Sequence, residues 1–278
     1  GLLLGGFLTD VLDWRWVLWV NVPIAIVVGL AAVLNMQESR RDGKAQWDIA
    51  GVVLAATGLF SLVFGFSRIG ETEGTDGWTD PLALGSLALG VVLLVAFFVV
   101  EARVPAPMLP LRIVLDRVRG GSYLVFFFLG AGLFTVFLTL SFYLQTLLGY
   151  TALETGVHMV PNAIMIILTS GLVSRLVPRF GPRPFIMAGF ALAITAVLLY
   201  LRITPEDQYW THVFPSLVLF GMGMACIFMP ISQTALTGIE PRDAGVGSAL
   251  LNTSQQEGGS IGRAILTTVQ IQARQASV

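Results

Sequence analysis

The sequence is short of charged residues. Asp, Glu, Lys and Arg together make up 12% of the 278 residues, whereas hydrophobic residues make up 55% and the mean hydropathy is +0.80. A water-soluble fold could not hide this much apolar surface, so the lipid bilayer is the expected solvent. The formal net charge of -1 provides no basic field, and we therefore expect no nucleic-acid partner.

Cysteine and histidine are also scarce. Cys226 is the only cysteine and there are two histidines, which excludes a disulfide within the chain and leaves no spacing typical of a metal site. The glycine-rich runs lack the lysine of a phosphate-binding loop. We expect neither an enzyme nor a bound cofactor. Because the chain opens on Gly1 without a charged n-region, we expect no signal peptide and interpret the sequence as a piece of a longer chain.

Long apolar runs are abundant instead. A membrane-spanning helix needs about 20 mostly apolar residues. Seven segments are each predicted to form such a helix: Val17–Met36, Ile49–Ser67, Leu82–Val100, Ser122–Leu148, Val157–Ser174, Phe185–Leu201 and Val213–Gly238. Gly1–Leu8 is interpreted as the tail of an earlier span, and Gly245–Val269 is a weaker eighth candidate. The predicted fold class is an all-α integral membrane bundle of about eight transmembrane helices plus the tail of one more.

The positive charges indicate the direction of the spans. When alternate loops are grouped, one set holds eleven of the Lys and Arg residues and the other set holds three. The richer set is expected to face the cytoplasm, because Lys and Arg are enriched in cytoplasmic loops. The acidic stretches ETEGTDGWTD (71–80) and TPEDQ (204–208) fall in the poorer, outer set. We therefore expect a multi-pass protein of the plasma membrane, the bacterial inner membrane.

The opening stretch GLLLGGFLTDVLDWRWVLWVNVPIAI combines closely spaced glycines, an aromatic turn and an Asn-x-Pro sequence. Gly1 and Gly5, four residues apart, predict close approach of another helix, and the tryptophans suit the membrane interface. The combination resembles the antiporter motif of the major facilitator superfamily, as found in its fourteen-span drug:proton antiporters of the EmrB/QacA type. Leu2 stands where that motif has proline. The matching positions are Gly1, Gly5, Gly6, Asn21 and Pro23.

Two further stretches support the resemblance. LVSRLVPRFGPRP (172–184) is similar to the superfamily's short cytoplasmic loop motif, with Gly181 at the turn and Arg175, Arg179 and Arg183 around it. GSALLNTSQQEGGSIGRAIL (247–266) is similar to its penultimate span, which is rich in small residues. The resemblance implies that the three arginines fasten the cytoplasmic ends of the helices in one conformation through charge-assisted bonds.

The resemblance also implies how the chain is divided. Residues 1–36 would end an N-terminal helical bundle, residues 37–120 would form two inserted spans and a cytoplasmic loop, and residues 121–278 would form an incomplete C-terminal bundle. The proline-containing connection Arg103–Gly120 is the best boundary between halves, because proline prevents a helix from continuing. Spans one to four and fourteen of the family pattern would then lie outside this chain.

Polar groups within the predicted spans are the candidate site residues, because such groups are expensive in lipid. Glu154 and His158 stand four residues apart on one helix face and are close enough to pair. Either Glu154 is simply solvated at the outer interface, or the two handle protons, since His titrates near neutral pH. Gln145 and Asn162 can hydrogen-bond a substrate or a neighbouring helix, and helix packing is the more common outcome.

The stretch SQQEGGSIGRAIL (254–266) places Glu257 and Arg263 within the weaker eighth candidate. At about 1.5 Å per residue, Glu257 lies roughly 18 Å from the start of that helix, near mid-membrane. Asn252, Gln256 and Arg263 share a helix face from which Glu257 is displaced, so Glu257 and Arg263 are not expected to pair. Glu257 is either a neutral acid bonded to another span, a peculiarity of this sequence, or a cavity residue that influences proton or cation recognition.

A third face of the same predicted helix carries small residues. Ser254, Gly258 and Gly262 follow one another at intervals of four residues. Such a strip lets a second helix approach closely.

The resemblance implies a secondary transporter that exports amphiphilic drugs or other small molecules by alternating access. The proton gradient would be its energy source, and its partners would be the lipid bilayer and a small amphiphilic substrate; the sequence leaves the oligomeric state open. A metabolite permease or uniporter of the same fold is the near alternative. A seven-helix receptor or a non-transporting membrane scaffold is the alternative from a different class.

The charge rule makes a direct prediction about topology. A cysteine placed at Ser39 should react only from the cytoplasmic side, and one placed at Thr75 only from outside, because these positions lie in loops of opposite charge bias. Labelling with a membrane-impermeant thiol reagent in intact cells and in inverted vesicles measures this. Labelling of both positions from the same side would contradict the topology.

Overall fold

The computed structural model describes residues 2–35, 48–71, 78–104, 107, 109–203, 209–240 and 243–276, and this part of the chain is helical without a strand. We number its α-helices in chain order. They are α1 (Leu2–Val11), α2 (Trp14–Trp19), α3 (Asn21–Asn35), α4 (Ile49–Glu71), α5 (Pro81–Glu101), α6 (Leu111–Val114), α7 (Arg117–Phe142), α8 (Ala152–Phe180), α9 (Pro182–Tyr200), α10 (Phe214–Leu236) and α11 (Ala244–Ala276). Two short π-helical turns, Tyr143–Leu147 and Tyr209–Val213, extend α7 and precede α10.

Seven stretches of the described chain are long and apolar enough to cross a membrane, and each overlaps one predicted span. They are Trp14–Asn35, Ile49–Ile69, Pro81–Glu101, Arg117–Leu147, Ala152–Phe180, Pro182–Tyr200 and Tyr209–Leu236. The predicted all-α multi-pass architecture is therefore confirmed. The weaker eighth candidate lies inside α11, a helix of 33 residues. Its polar residues make α11 less apolar than these seven stretches.

Several residues used in the sequence analysis lie outside the described part. They are Gly1, the basic residues of the loop 36–47, Pro105, residues 72–77 and 204–208 of the acidic stretches, and Arg242.

The chain divides into two compact units. The first unit joins Gly1–Lys44 with Thr139–Pro230, and the second joins Ala45–Leu138 with Ile231–Val278. This division follows spatial contact and does not follow the order of the chain. The sequence-based division into residues 1–36, 37–120 and 121–278 states which helical bundle each stretch of the chain belongs to. It stays a prediction.

In the second unit, α4 and α5 form an antiparallel hairpin with glycine at its contacts. A Cβ atom on Gly90 would lie 2.8 Å from the side chain of Leu62, and one on Gly58 would lie 3.0 Å from Leu94. Both distances are shorter than ordinary van der Waals contact. The hairpin therefore depends on small residues where its helices meet, as expected for helices packed in lipid.

An ion pair lies at the end of this hairpin where α4 leads into α5. The Arg68 Nε atom lies 2.5 Å from the Asp80 carboxylate, which also accepts a hydrogen bond of 3.1 Å from the Leu82 backbone N–H at the start of α5. The Leu82 N–H, with the Arg68 guanidinium, holds the pKa of Asp80 below its ordinary value. Asp80 is thus both the N-cap of α5 and the anchor of Arg68.

Small residues also bring α7 and α11 together in the second unit. A Cβ atom on Gly262 would lie 2.6 Å from the Cα atom of Ala131, and one on Gly258 would collide with the backbone carbonyl of Phe127. Gly258 and Gly262 belong to the small-residue strip predicted from the sequence. That strip is confirmed as a helix contact for these two glycines.

We predict that Gly258→Ala destabilises the protein, because the new methyl group overlaps the Phe127 carbonyl. Overpacking of this kind costs about 1–3 kcal/mol. Thermal unfolding of the purified complete protein in detergent measures the loss. The matched control is Gly132→Ala on α7, where no atom lies within 4 Å of the added Cβ and where removal of a helical glycine should leave stability unchanged or improve it. Equal melting temperatures for the two variants would contradict the prediction.

Candidate functional site

The polar face of α11 is exposed in the second unit. Asn252 and Gln256 are exposed, Arg263 is exposed, and Glu257 is half-buried. The Asn252 side chain donates a hydrogen bond of 3.0 Å to the Ser248 carbonyl one turn earlier. This bond holds Asn252 along its own helix and leaves Gln256 as the exposed amide beside Glu257.

Arg263 is directed toward α7. Its guanidinium carbon lies 5.9 Å from the centroid of the Phe134 ring, which is within the range of a cation–π contact. Within the residues that the structure describes, no ion pair joins Arg263 to Glu257. The geometry agrees with the expectation from helical spacing that these two residues do not pair.

Glu257 is half-buried next to a close helix contact. Glu257 immediately precedes Gly258, which lies against the backbone of Phe127. Glu257 thus lies between the polar face of α11 and its packed face, where it can be reached by a proton or a cation if that face lines a cavity.

Glu154 and His158 are four residues apart, but their side chains do not bond to each other among the contacts of the described residues. The Glu154 carboxylate accepts a hydrogen bond of 2.9 Å from the Thr151 backbone N–H, while the Thr151 hydroxyl accepts one of 3.2 Å from the Glu154 N–H. This reciprocal arrangement is a capping box that begins α8. Glu154 is exposed, which agrees with the alternative that it is solvated at the interface, and its carboxylate accepts from an amide at the helix start, where amides need acceptors.

His158 is held by groups that the sequence analysis did not identify. Its Nδ1 atom lies 2.7 Å from the Glu154 backbone carbonyl, and since a carbonyl only accepts, Nδ1 carries a proton. The imidazole centroid lies 4.6 Å from the ring of Tyr150 and 4.5 Å from that of Tyr209. The Tyr209 hydroxyl donates a bond of 2.6 Å to the His158 carbonyl. No sequence spacing indicates Tyr209, which is 51 residues from His158.

Asn162 and Gln145 make contacts within the protein. Asn162 is 2% exposed, and its side chain donates a hydrogen bond of 3.0 Å to the Leu217 carbonyl of α10. A Cβ atom on Gly221 would lie 2.6 Å from the Asn162 carbonyl oxygen, so the two helices meet closely there. Gln145 is exposed and donates to the Ser141 hydroxyl at 2.9 Å. Asn162 serves helix packing, the more common of the two expected outcomes.

The antiporter-motif glycines differ in their contacts. A Cβ atom on Gly6 would lie 2.6 Å from the Ala152 carbonyl oxygen, whereas nothing lies within 4 Å of one on Gly5. Within the described part of the chain, the close approach to α8 is therefore made at Gly6, which the helical rotation directs at that helix, and the approach of another helix at Gly5 stays a prediction. Asn21 donates to the Val17 carbonyl at 3.0 Å, and Pro23 lies in the first turn of α3, where proline is tolerated.

The cytoplasmic loop motif forms a tight turn between α8 and α9. Gly181 has a φ of 79°, a conformation that favours glycine. Arg175, Arg179 and Arg183 are exposed around it, and the Arg179 guanidinium lies 5.5 Å from the Phe180 ring centroid. The position of Gly181 at the turn is as expected, while the fastening role of the arginines stays a prediction.

An ion cluster that the sequence analysis did not single out joins α6 to the residues before α11. Arg112 forms a 2.9 Å ion pair with Glu240 and a second ion pair with Asp243. The Glu240 carboxylate raises the pKa of Arg112, so the guanidinium stays charged. Arg119 adds a bond of 3.2 Å to the Thr237 carbonyl. These partners are more than 100 residues apart in sequence, which is why charge patterning alone did not pair them.

We predict that Arg112→Gln loosens the cytoplasmic segment 109–116, because neither acid then has its guanidinium partner. Hydrogen–deuterium exchange of that segment in the complete protein, followed by mass spectrometry, should become faster by roughly threefold or more. Arg117→Gln is the matched control, since Arg117 is exposed in the same region and takes no part in the cluster. Unchanged exchange in Arg112→Gln, or equal acceleration in both variants, would show that the cluster does not order the segment.

Comparison with known proteins adds a family and several relatives. The family model described as Major Facilitator Superfamily matches residues 1–262. A puromycin resistance protein of Streptomyces alboniger is 42% identical over 280 residues, covering 99% of this chain and 54% of that protein. A cephamycin export protein of Amycolatopsis lactamdurans is 37% identical and a lincomycin resistance protein of Streptomyces lincolnensis is 30% identical, each matching 97% of this chain and 55% of its own length. The chain spans about half the length of these relatives.

Proposed function

Because this chain belongs to the Major Facilitator Superfamily, we propose that it is the central part of an exporter that moves small amphiphilic compounds out of the cell. Family membership favours a transporter over an enzyme, a receptor or a scaffold. We further propose the fourteen-span EmrB/QacA type, with this chain running from the end of span five to span thirteen. The drug would be neutral or cationic, and inward proton flow would drive its export.

The names of three relatives support export as the direction of transport. Three relatives whose names state resistance to an antibiotic, or export of one, match at least 97% of this chain. Export is the activity that links a membrane transporter to resistance. The proposal for an antibiotic-like substrate rests on this similarity, and the positions of the polar side chains support it.

We propose that α11 lines the substrate pathway. It is the least apolar of the long helices, and it keeps Asn252, Gln256 and Arg263 exposed on one face. An amide face can hydrogen-bond varied compounds, and a nearby carboxylate can exchange a cation for a proton. Glu257 is the carboxylate placed to do so, because it is only half-buried beside the α7 contact.

The proposed mechanism is alternating access. Two helical bundles would rock about a cavity near mid-membrane, so that the cavity opens to one side at a time. A drug and a proton that compete for the same acid would then be coupled, since each binds better in a different conformation. The glycine contacts of α1 with α8 and of α7 with α11 would keep the packed helices together during this motion.

We predict that Glu257→Gln alters the pH dependence of cationic-drug efflux, because the variant has no carboxylate at which a proton and a cation can compete. The variant should be produced at the wild-type level. Efflux of one cationic and one neutral substrate, measured in cells between roughly pH 6 and 8 with the complete protein, tests this, and the cationic substrate should lose its pH dependence. Unchanged efflux of both substrates across that range would leave Glu257 with a structural role only.

Two controls accompany this experiment. Glu154→Gln removes an acid whose carboxylate serves the capping box of α8, and it should leave the pH profile unchanged. The 278-residue chain alone should confer no efflux, because under the proposal half of the cavity lies outside it. Drug extrusion by that chain in cells without their own exporters would contradict the proposed arrangement.

A further inference from the structure

The last turn of α1 touches the first turn of α8 at two points. The Asp10 carboxylate accepts a hydrogen bond of 2.8 Å from the Leu153 backbone N–H. One turn earlier on α1, a Cβ atom on Gly6 would lie 2.6 Å from the Ala152 carbonyl oxygen and 2.9 Å from the Leu153 Cα atom. Glycine therefore brings the backbones together where the carboxylate reaches the amide.

The first turn of α8 contains a backbone N–H group whose acceptor is Asp10. The N–H groups at a helix start lack partners within the helix. The capping box satisfies two of them, since the Thr151 hydroxyl accepts from the Glu154 N–H and the Glu154 carboxylate accepts from the Thr151 N–H. The Leu153 amide is satisfied by Asp10, whose negative charge is also favoured by the positive end of the helix dipole.

Both halves of this contact lie at the outer face. By the charge rule, α1 ends and α8 begins on the side opposite the arginine-rich loops. In the proposed function, on which this inference rests, α1 belongs to the N-terminal bundle and α8 to the C-terminal bundle. Opening toward the outside then requires these two helix ends to part.

We propose that Asp10 is an outer latch, whose carboxylate on the first turn of α8 holds α1 and α8 together while the transporter is closed to the outside. Asp10 is exposed, so water can replace the Leu153 amide when the contact breaks. An exposed hydrogen bond of this kind adds little to the folded state. It can therefore form and break in each cycle without unfolding either helix.

Chemical labelling of a buried residue near this contact can measure how often the ends of α1 and α8 separate. Thr155 is 4% exposed and lies on α8 three residues after Ala152, on the side of the helix that faces α1. In the complete gene product, every native cysteine, including Cys226, is replaced by alanine, and Thr155→Cys introduces the reporter. The rate of labelling by a membrane-impermeant maleimide added outside intact cells then measures how often the outer ends separate.

Removal of the latch should accelerate this labelling. We expect Asp10→Ala to raise the rate roughly threefold or more, and Asp10→Asn to have a smaller effect because its amide oxygen still accepts a hydrogen bond but lacks the charge. The matched control is Asp13→Asn. Asp13 is an acid on the same outer side that pairs at 3.3 Å with exposed Arg15 and makes no bond to α8, so it should label at the parental rate.

Two results would overturn the latch. One is a parental labelling rate in both Asp10 variants, and the other is equal acceleration in Asp13→Asn, which would indicate general loosening. Surface expression of Asp10→Asn, which keeps the size of the side chain, checks folding. Drug efflux is measured in the same cells: faster labelling without efflux retains the latch and rejects the export proposal, whereas efflux with unchanged labelling rejects the latch alone.

Discussion

Lipid offers no hydrogen bond to a backbone N–H or carbonyl group, and this constraint shapes the described chain. Every spanning segment is a helix, because a helix pairs its backbone groups internally. Side-chain hydroxyls follow the same constraint by bonding back to their own helix, as Ser122 does to the Val118 carbonyl and Thr195 to the Ala191 carbonyl. The backbone groups that have no partner inside their own helix lie at helix ends. The charged side-chain contacts between separate elements are found there too.

Packing between the helices has a second physical origin. Since lipid is as apolar as the side chains, burial of apolar surface contributes little, and close backbone approach has to hold helices together. Gly6 against α8, Gly90 against α4 and Gly258 against α7 each provide such an approach. Among the described residues, Asn162 is a buried polar bridge between α8 and α10.

The charged residues that join helix ends are different from the charged residues within α11. At the end predicted to be cytoplasmic, Arg112 and its two acids join α6 to the start of α11, and at the end predicted to be outside, Asp10 caps α8 and Arg68 binds Asp80. These charges lie where water can reach them. Glu257 and Arg263 lie within α11 instead, and the proposal that α11 lines the substrate pathway rests on such polar groups within a span.

Composition and periodicity determined the membrane class, the seven spans and the turn at Gly181, because twenty apolar residues and a glycine at a loop act locally. Which polar residues meet was decided by the tertiary structure. Spacing along α8 suggested that Glu154 pairs with His158, but the carboxylate caps the helix and Tyr209 comes from 51 residues away to contact the ring. Similarly, Gly6 rather than Gly5 meets α8, and Arg112 finds Glu240 across 128 residues. A local pattern fixes which face of a helix a residue occupies, while only the packing of helices decides what that face touches.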